Sequence, residues 1–212
     1  MPQPPFRQLK AALYDRMTKA MEERVFGPRR RRLLAEAEGR VLDVGGGTGA
    51  NLPYYRFERM TKLSLLDPDG AMLDRARRKA AEIGAVVEFC VAYAEAMPFA
   101  DESFDTVVFT LSLCTIPDPS RALHEARRVL SPRGKLLVFE HVQAAEPSVA
   151  KWQKRATPVW SVIAPGRHLD RDTRTTMETA GFVLEKREEG RETAIPFRIL
   201  QPHLLAVARK AG

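Results

Sequence analysis

The chain has 212 residues, enough for one domain with a sizeable core, and its 44% apolar, 8% aromatic and 29% charged content excludes disordered and fibrous classes. No apolar run reaches the roughly 18 residues of a membrane span, and the opening MPQPPFRQLK lacks the apolar stretch of a secretory signal, so the cytoplasm is the expected compartment. The formal charge of +7 is concentrated: residues 1–35 hold nine Lys or Arg (Arg7, Lys10, Arg16, Lys19, Arg24 and Arg29 to Arg32) against Asp15, Glu22 and Glu23.

Phe6, Leu9, Leu13, Met17, Met21 and Val25 recur three or four residues apart, which predicts a helix ending near Gly27-Pro28 with its positive charge on the other face. Such a stripe suits anionic lipid, nucleic acid or an acidic substrate, and equally a solvated face with no partner. GRVLDVGGGTGA then reads as a short buried strand (Val41 to Val44), a glycine turn and a second helix. Strand and helix signals alternate from there. Strands are expected at Lys62 to Leu66 (ending at Asp67), Val86 to Val91, Thr106 to Thr110 and Lys135 to Phe139, with helices at Ala71 to Ile83 and Ser120 to Leu130. This order predicts a parallel sheet with helices on both faces. Pro132 and Gly134 mark a turn before the Lys135 strand.

Residues 143–169 break the rhythm, carrying Trp152, Trp160 and three prolines. A connection that long in a compact fold suggests a cover over a substrate. A helix capped near Asp170 and stopped at Gly181 follows, then strands Phe182 to Arg187 and Leu204 to Arg209. The expected organisation is a single domain over 1–212, with a basic helical arm at 1–35 and the cover at 143–169. Cys90 and Cys114 fit neither a redox pair nor a zinc pattern, and His124, His141, His168 and His203 are scattered, so no metal site is expected.

The strongest chemical signal is Asp43 to Gly49 directly after an apolar strand. Glycines at 45, 47 and 49 let backbone approach a ligand and offer amide N–H groups at a helix start, where an anion is stabilised. The spacing Gly45-x-Gly47-x-x-Ala50 also satisfies a dinucleotide fingerprint, so the turn alone leaves the cofactor open. Asp67 ends the next strand, where a carboxylate can accept from both hydroxyls of a ribose. Its competing role, capping the Ala71 helix, can be filled by Asp69.

Taken together, VLDVGGGTG, LLDPD, AEAMPFADESFDTVV and EARRVLSPRGKLL resemble the class I S-adenosylmethionine-dependent methyltransferases. Within that superfamily the chain is similar to the branch of ubiquinone/menaquinone, phospholipid and alkyl-thiol methyltransferases, over about residues 8–210. The resemblance implies a Rossmann-like, doubly wound α/β fold: a seven-stranded sheet, mostly parallel with an antiparallel final strand, plus the N-terminal arm and helical insert. It also implies S-adenosyl-L-methionine as cofactor and S-adenosyl-L-homocysteine as product. By the same resemblance Asp43, Gly45 and Gly47 hold the methionine part, Asp67 with neighbouring Pro68 binds the ribose, and Met72 packs on the adenine. Tyr93, Ala94 and Glu95 form the third cofactor loop. Many relatives carry Asp where Tyr93 stands, so the Tyr93 hydroxyl or the Ala94 N–H would serve the ring. Thr110 and Leu111 would touch the methionine end, and Tyr14 would close over the cofactor from the arm.

A dehydrogenase usually has an apolar residue in place of Asp43 and needs a substrate half for which the chain has little room. An adenine- or cytosine-amino methyltransferase would show Asn/Asp-Pro-Pro-aromatic after the fourth strand, where this chain reads Thr110-Leu111-Ser112-Leu113-Cys114. No nucleic-acid substrate is therefore expected. Methyl transfer asks chiefly for alignment in a dry pocket, and Val149, Trp152, Val159, Trp160 and Ile163 could wall one or simply pack as core. His141 and His168 are the candidate catalytic residues, as general base or acceptor-orienting groups. Cys114 reads as a small buried hydrophobe.

A thiol, with a pKa of about 8.5, is partly ionised already, whereas an alcohol or ammonium needs a stronger base. With EHV at 140–142 and GRHLDRDT at 166–173, this favours a small thiol as acceptor, although thiol-methylating relatives often carry Cys where Arg167 stands. The alternatives are phospholipid N-methylation, with the basic arm on an anionic membrane, another small-molecule N-, O- or C-methylation, or a cofactor-binding protein without catalysis.

Overall fold

The computed structural model describes residues 22–163 and 166–211. The predicted helix over 6–25, with Tyr14, falls almost wholly outside the described residues. Glu22–Phe26 forms a π-helical turn and α1 spans Gly27–Leu34. Gly27-Pro28 thus opens a helix where the sequence suggests an end. Proline in a first turn gives up an N–H with no intrahelical partner, and its fixed φ is already helical.

The remaining elements are β1 (Gly39–Val44), β2 (Met60–Asp67), α2 (Gly70–Glu82), β3 (Glu88–Val91), β4 (Phe104–Thr110), α3 (Pro119–Val129), β5 (Leu130–His141), α4 (Pro147–Ile163), α5 (Thr173–Thr179), β6 (Phe182–Arg191) and β7 (Pro202–Lys210). They build one seven-stranded sheet in the order β3-β2-β1-β4-β5-β7-β6. Neighbours from β3 to β5 are parallel, and β7 runs antiparallel to both β5 and β6. This is the doubly wound architecture that the sequence implies.

Alternation along the buried strands sorts side chains onto two faces. Val41, Leu65, Val108, Leu137 and Phe139 pack with Leu33 and Leu34 of α1 and with Leu73 and Ala76 of α2. Leu42, Val44, Val107, Phe109 and Val138 pack on the opposite side with Leu123 and Ala126 of α3 and Met177 of α5. From β1 the chain steps outward to β2 and β3, then returns to β4 on the other side of β1. The carboxyl ends of β1 and β4 therefore flank the switch point, the crevice where open α/β sheets bind ligands.

Two local expectations are corrected. No α-helix follows the glycine turn; residues 45–51 form turns and the link to β2 holds only the 3₁₀ turns Leu52–Tyr54 and Phe57–Arg59. Positive φ at Gly45, Gly47 and Gly49, with Pro53 just beyond, leaves too little helical backbone to nucleate. Likewise Pro132 and Gly134 lie within β5 rather than ahead of it. Phe104 pairs with Leu130 and Thr106 with Lys135, so Asp105 alone faces residues 131–134 in a wide bulge.

The insert contains α4, 17 residues long with Pro158 inside. Its buried side is formed by Val149, Gln153 and Thr157. Gln153 donates to the carbonyls of Val142 and Ile199 and accepts from the Ala144 N–H. Of the proposed pocket wall, Trp152 and Val159 instead face solvent, 61% and 65% exposed. Trp160 is half-buried, and the Ile163 side chain lies outside the described residues.

Candidate cofactor and acceptor site

The glycine turn begins where β1 ends. Gly45, Gly47 and Gly49 have φ of +71°, +53° and +76°, a region L side chains rarely adopt. At Gly45 an added Cβ would also sit 2.5 Å from the Ser112 Cβ, so β4's exit loop leaves no room there for any other residue.

The amides are not open to a ligand as the sequence suggests. Gly45 and Gly46 both donate to the Leu66 carbonyl (2.8 and 3.1 Å), and Gly49 donates to the Gly46 carbonyl (2.9 Å). Gly47 donates to Asp67 Oδ2 (3.0 Å). The cause is the parallel β1–β2 register, Val44 beside Leu66, which puts the end of β2 beneath the turn. With the amides of all four glycines committed and no helix start, the turn is poorly built for a pyrophosphate, which counts against the dinucleotide reading.

Carboxylates face the crevice instead. Asp67 also accepts the Asp69 N–H at Oδ1 (2.9 Å), while Asp69 itself caps α2 through the Ala71 N–H. Asp67 is thus not the helix cap, and each of its oxygens keeps a lone pair for a ribose hydroxyl. Burial raises its pKa, against the pull of the Asp69 and Gly47 N–H groups. Asp43, almost fully buried, accepts from Asn51 at Oδ2 (2.8 Å), whereas its Oδ1 has no partner among the described residues. Burial pushes its pKa up to about 6, opposed by the Asn51 and Tyr55 hydrogen bonds and the Arg30 charge. The Tyr55 hydroxyl, equally buried, faces this carboxyl and acts on it as a weak donor, short of full hydrogen-bond geometry. A buried carboxylate with a loosely held oxygen, beside a second carboxylate, fits a cationic ligand such as the ammonium and sulfonium of S-adenosylmethionine, and repels an anionic one.

Arg30 and Asn51 escaped the sequence reading. Arg30, buried on α1, donates to Asn51 Oδ1 (2.5 Å), to Thr110 Oγ1 (2.6 Å) and to both oxygens of Glu22 (3.0 Å each). Asn51 closes the ring by donating to Thr110 Oγ1 (2.9 Å). A signal did exist: Arg30 alone of the run shares helical spacing with both buried leucines, three residues from Leu33 and four from Leu34.

The other predicted residues divide. Thr110 ends β4 inside this ring, and Leu111, at φ +54°, begins the exit loop. Met72 is half-buried in the first turn of α2, and Pro68 is exposed before it. Ala94 is buried and Tyr93 is 64% exposed. Glu95 accepts the Asp118 N–H (3.1 Å), so one of its oxygens serves the start of α3. His141 is buried on the α1 face, two residues beyond Phe139, which pairs in register with Thr110. Its Nε2 lies 3.1 Å from the Ile199 carbonyl, which makes that nitrogen the N–H donor and leaves Nδ1 an acceptor. Nδ1 has no partner among the described residues. Burial, with His203 alongside, pushes the His141 pKa down to about 3. A base that weak cannot take a proton from an alcohol or ammonium, so the general-base role expected of His141 narrows to hydrogen-bond acceptance. His168 meets the site through its backbone, donating its N–H to the Cys114 carbonyl (2.8 Å).

A family model described as a methyltransferase domain matches residues 42–138. A thiol S-methyltransferase of Rattus norvegicus is 34% identical over 217 residues, covering 97% of this chain and 86% of the relative. The chain belongs to the S-adenosylmethionine-dependent methyltransferases. A ubiquinone/menaquinone C-methyltransferase of Hahella chejuensis is 39% identical over 117 residues, covering 52% of this methyltransferase and 46% of its own length. Among solved structures, an S-adenosylmethionine-dependent methyltransferase of Mesorhizobium loti shares the fold with a TM-score of 0.65 at 23% identity, over 86% of this chain and 96% of its own.

Proposed function

We propose that the enzyme methylates a small thiol, with its cofactor held by Asp43 at the methionine ammonium and by Asp67 at the ribose. The bound cofactor supplies an electrophilic methyl group on a sulfonium. The observation that carries the acceptor assignment is His141: neutral at working pH, with an unpaired Nδ1 on the same sheet face as Asp43 and Thr110. Such a group accepts a hydrogen bond from an S–H and so orients an acceptor that loses its own proton to solvent, as a thiol does. Sulfur attacks the methyl carbon as the sulfonium S–C bond breaks, and the thiol proton leaves, giving a thioether. Similarity to the rat thiol S-methyltransferase along nearly the whole chain, insert included, supports the same reading. Incubating the protein with labelled cofactor and a panel of alkyl and aryl thiols should yield methyl thioethers. Cofactor binding without turnover of any thiol would refute the assignment.

A second reading rests on α4. Lys151, Trp152, Lys154, Arg155 and Val159 are all exposed, and the helix holds no acid. An apolar and cationic face suits an anionic bilayer, and hence a lipid-like acceptor. Vesicles of phosphatidylglycerol and phosphatidylcholine should co-sediment with the enzyme at low salt if this holds. An enzyme left in the supernatant refutes it.

A further inference from the structure

The loop that leaves β4, residues 111–116, is held by groups far from it in sequence. Leu111 adopts a left-handed backbone that residues other than glycine seldom take, and its N–H donates to the Phe139 carbonyl (2.7 Å). The next three N–H groups converge on one buried carboxylate. Ser112 and Leu113 donate to Glu140 Oε1 (2.5 and 2.7 Å), and Cys114 donates to Oε2 (3.4 Å). The loop's carbonyls are claimed from the other side by the segment that leaves the insert. Arg171 Nη1 donates to the Leu113 carbonyl and to that of Ile116 (2.6 Å), and the His168 N–H takes that of Cys114. The placement matters because Ser112 donates to the Val44 carbonyl (2.9 Å) and fills the space beside Gly45. Ser112 thus stays tied to the cofactor cradle, while Leu113 to Ile116 run from it to the segment that leaves the insert.

We propose that Glu140 is a positioning residue for methyl transfer, its carboxylate fixing the backbone of Ser112 to Cys114 against Arg171, just beyond the insert. The inference rests on the chain being a methyltransferase and not on the acceptor being a thiol. Were Glu140 only satisfying buried donors, its charge would be dispensable, since a glutamine carbonyl can accept two N–H groups. A glutamine, however, turns an NH₂ toward the third donor, and the loop must then move. The groups facing Glu140 are the guanidinium of Arg171 and the thiol of Cys114, with Arg167 beside that thiol, while His141, next on β5, lies on the other face. Burial pushes the Glu140 pKa up to about 7 against the three N–H donors, so the clamp ionises within the working range.

The test compares wild type with Glu140→Gln and Arg171→Lys. With 2-mercaptoethanol as acceptor, Glu140→Gln should lower kcat at least tenfold while cofactor Kd changes less than threefold. The acidic limb of wild-type kcat near pH 7 should vanish in the variant. Deuterium exchange of the Ser112 and Leu113 amides should quicken at least tenfold in both variants, a readout that needs no acceptor and decides the question even if the thiol is not turned over. Unchanged exchange would overturn the proposal. So would a fall in kcat matched by equal losses of cofactor affinity and folded fraction, the signature of a purely structural residue.

Discussion

If Asp43 binds the cofactor's ammonium through its Oδ1, cofactor binding must be linked to a proton. The folded apo protein holds this carboxyl with a pKa of about 6 because it is buried, while the ammonium demands the ionised form. At pH 5 about one molecule in ten carries that form, so Kd should rise about tenfold between pH 7 and 5, or ~1.4 kcal/mol, and each binding event should release close to one proton. Titration calorimetry at pH 5 in two buffers of different ionisation enthalpy measures the proton directly. Asp43→Asn preserves shape and removes a charge-assisted hydrogen bond worth about 1.5–3 kcal/mol, so Kd should rise roughly 10- to 150-fold and the pH dependence should flatten. The same shift has a stability consequence. A carboxyl whose pKa is higher folded than unfolded binds its proton more tightly in the folded state. Its contribution is therefore full below the unfolded value of 3.8 and lost as pH rises through about 6, a change on the order of 2–3 kcal/mol. Binding at pH 5 with no proton released, together with an Asp43→Asn variant of wild-type affinity, would refute the reasoning.

Asp67→Ala removes the acceptor of the Gly47 and Asp69 N–H groups as well as the ribose contact, and cofactor Kd by calorimetry should rise at least about 100-fold, two charge-assisted hydrogen bonds' worth. Gly45→Ala forces a Cβ to 2.5 Å from Ser112 at φ +71°, and thermal melts should report a loss of about 2–4 kcal/mol with cofactor binding abolished. Arg30→Met strips Glu22, Asn51 and Thr110 of a shared donor. Denaturant titration should show about 3–5 kcal/mol lost, whereas Arg31→Met, outside the ring, should fall within about 0.5 kcal/mol of wild type.

How far the sequence carries depends on the range of the interaction. The apolar run at Val41 to Val44, the glycines at positive φ and the acid at the end of β2 are legible because strand burial, backbone sterics and strand-end placement are local properties. Helix existence was equally legible for α2 and α3, each within a residue of its expected bounds. The turn after β1 was misread because glycine spacing does not say which acceptor its amides will find. Register supplied it, by placing Leu66 beside Val44.

The alternation of strands and helices, the glycine turn and Asp67 are thus properties of the sequence by itself, since period and steric allowance act over a few residues. Tertiary structure alone decided that the amides of Gly45, Gly46, Gly47 and Gly49 are spent within the protein, that one arginine of four is buried in a ring reaching Thr110, and that His141 is buried with its pKa pushed down. Those outcomes depend on groups distant in sequence meeting away from water, and desolvation, which sets both their hydrogen bonds and their protonation, exists only once the chain has packed.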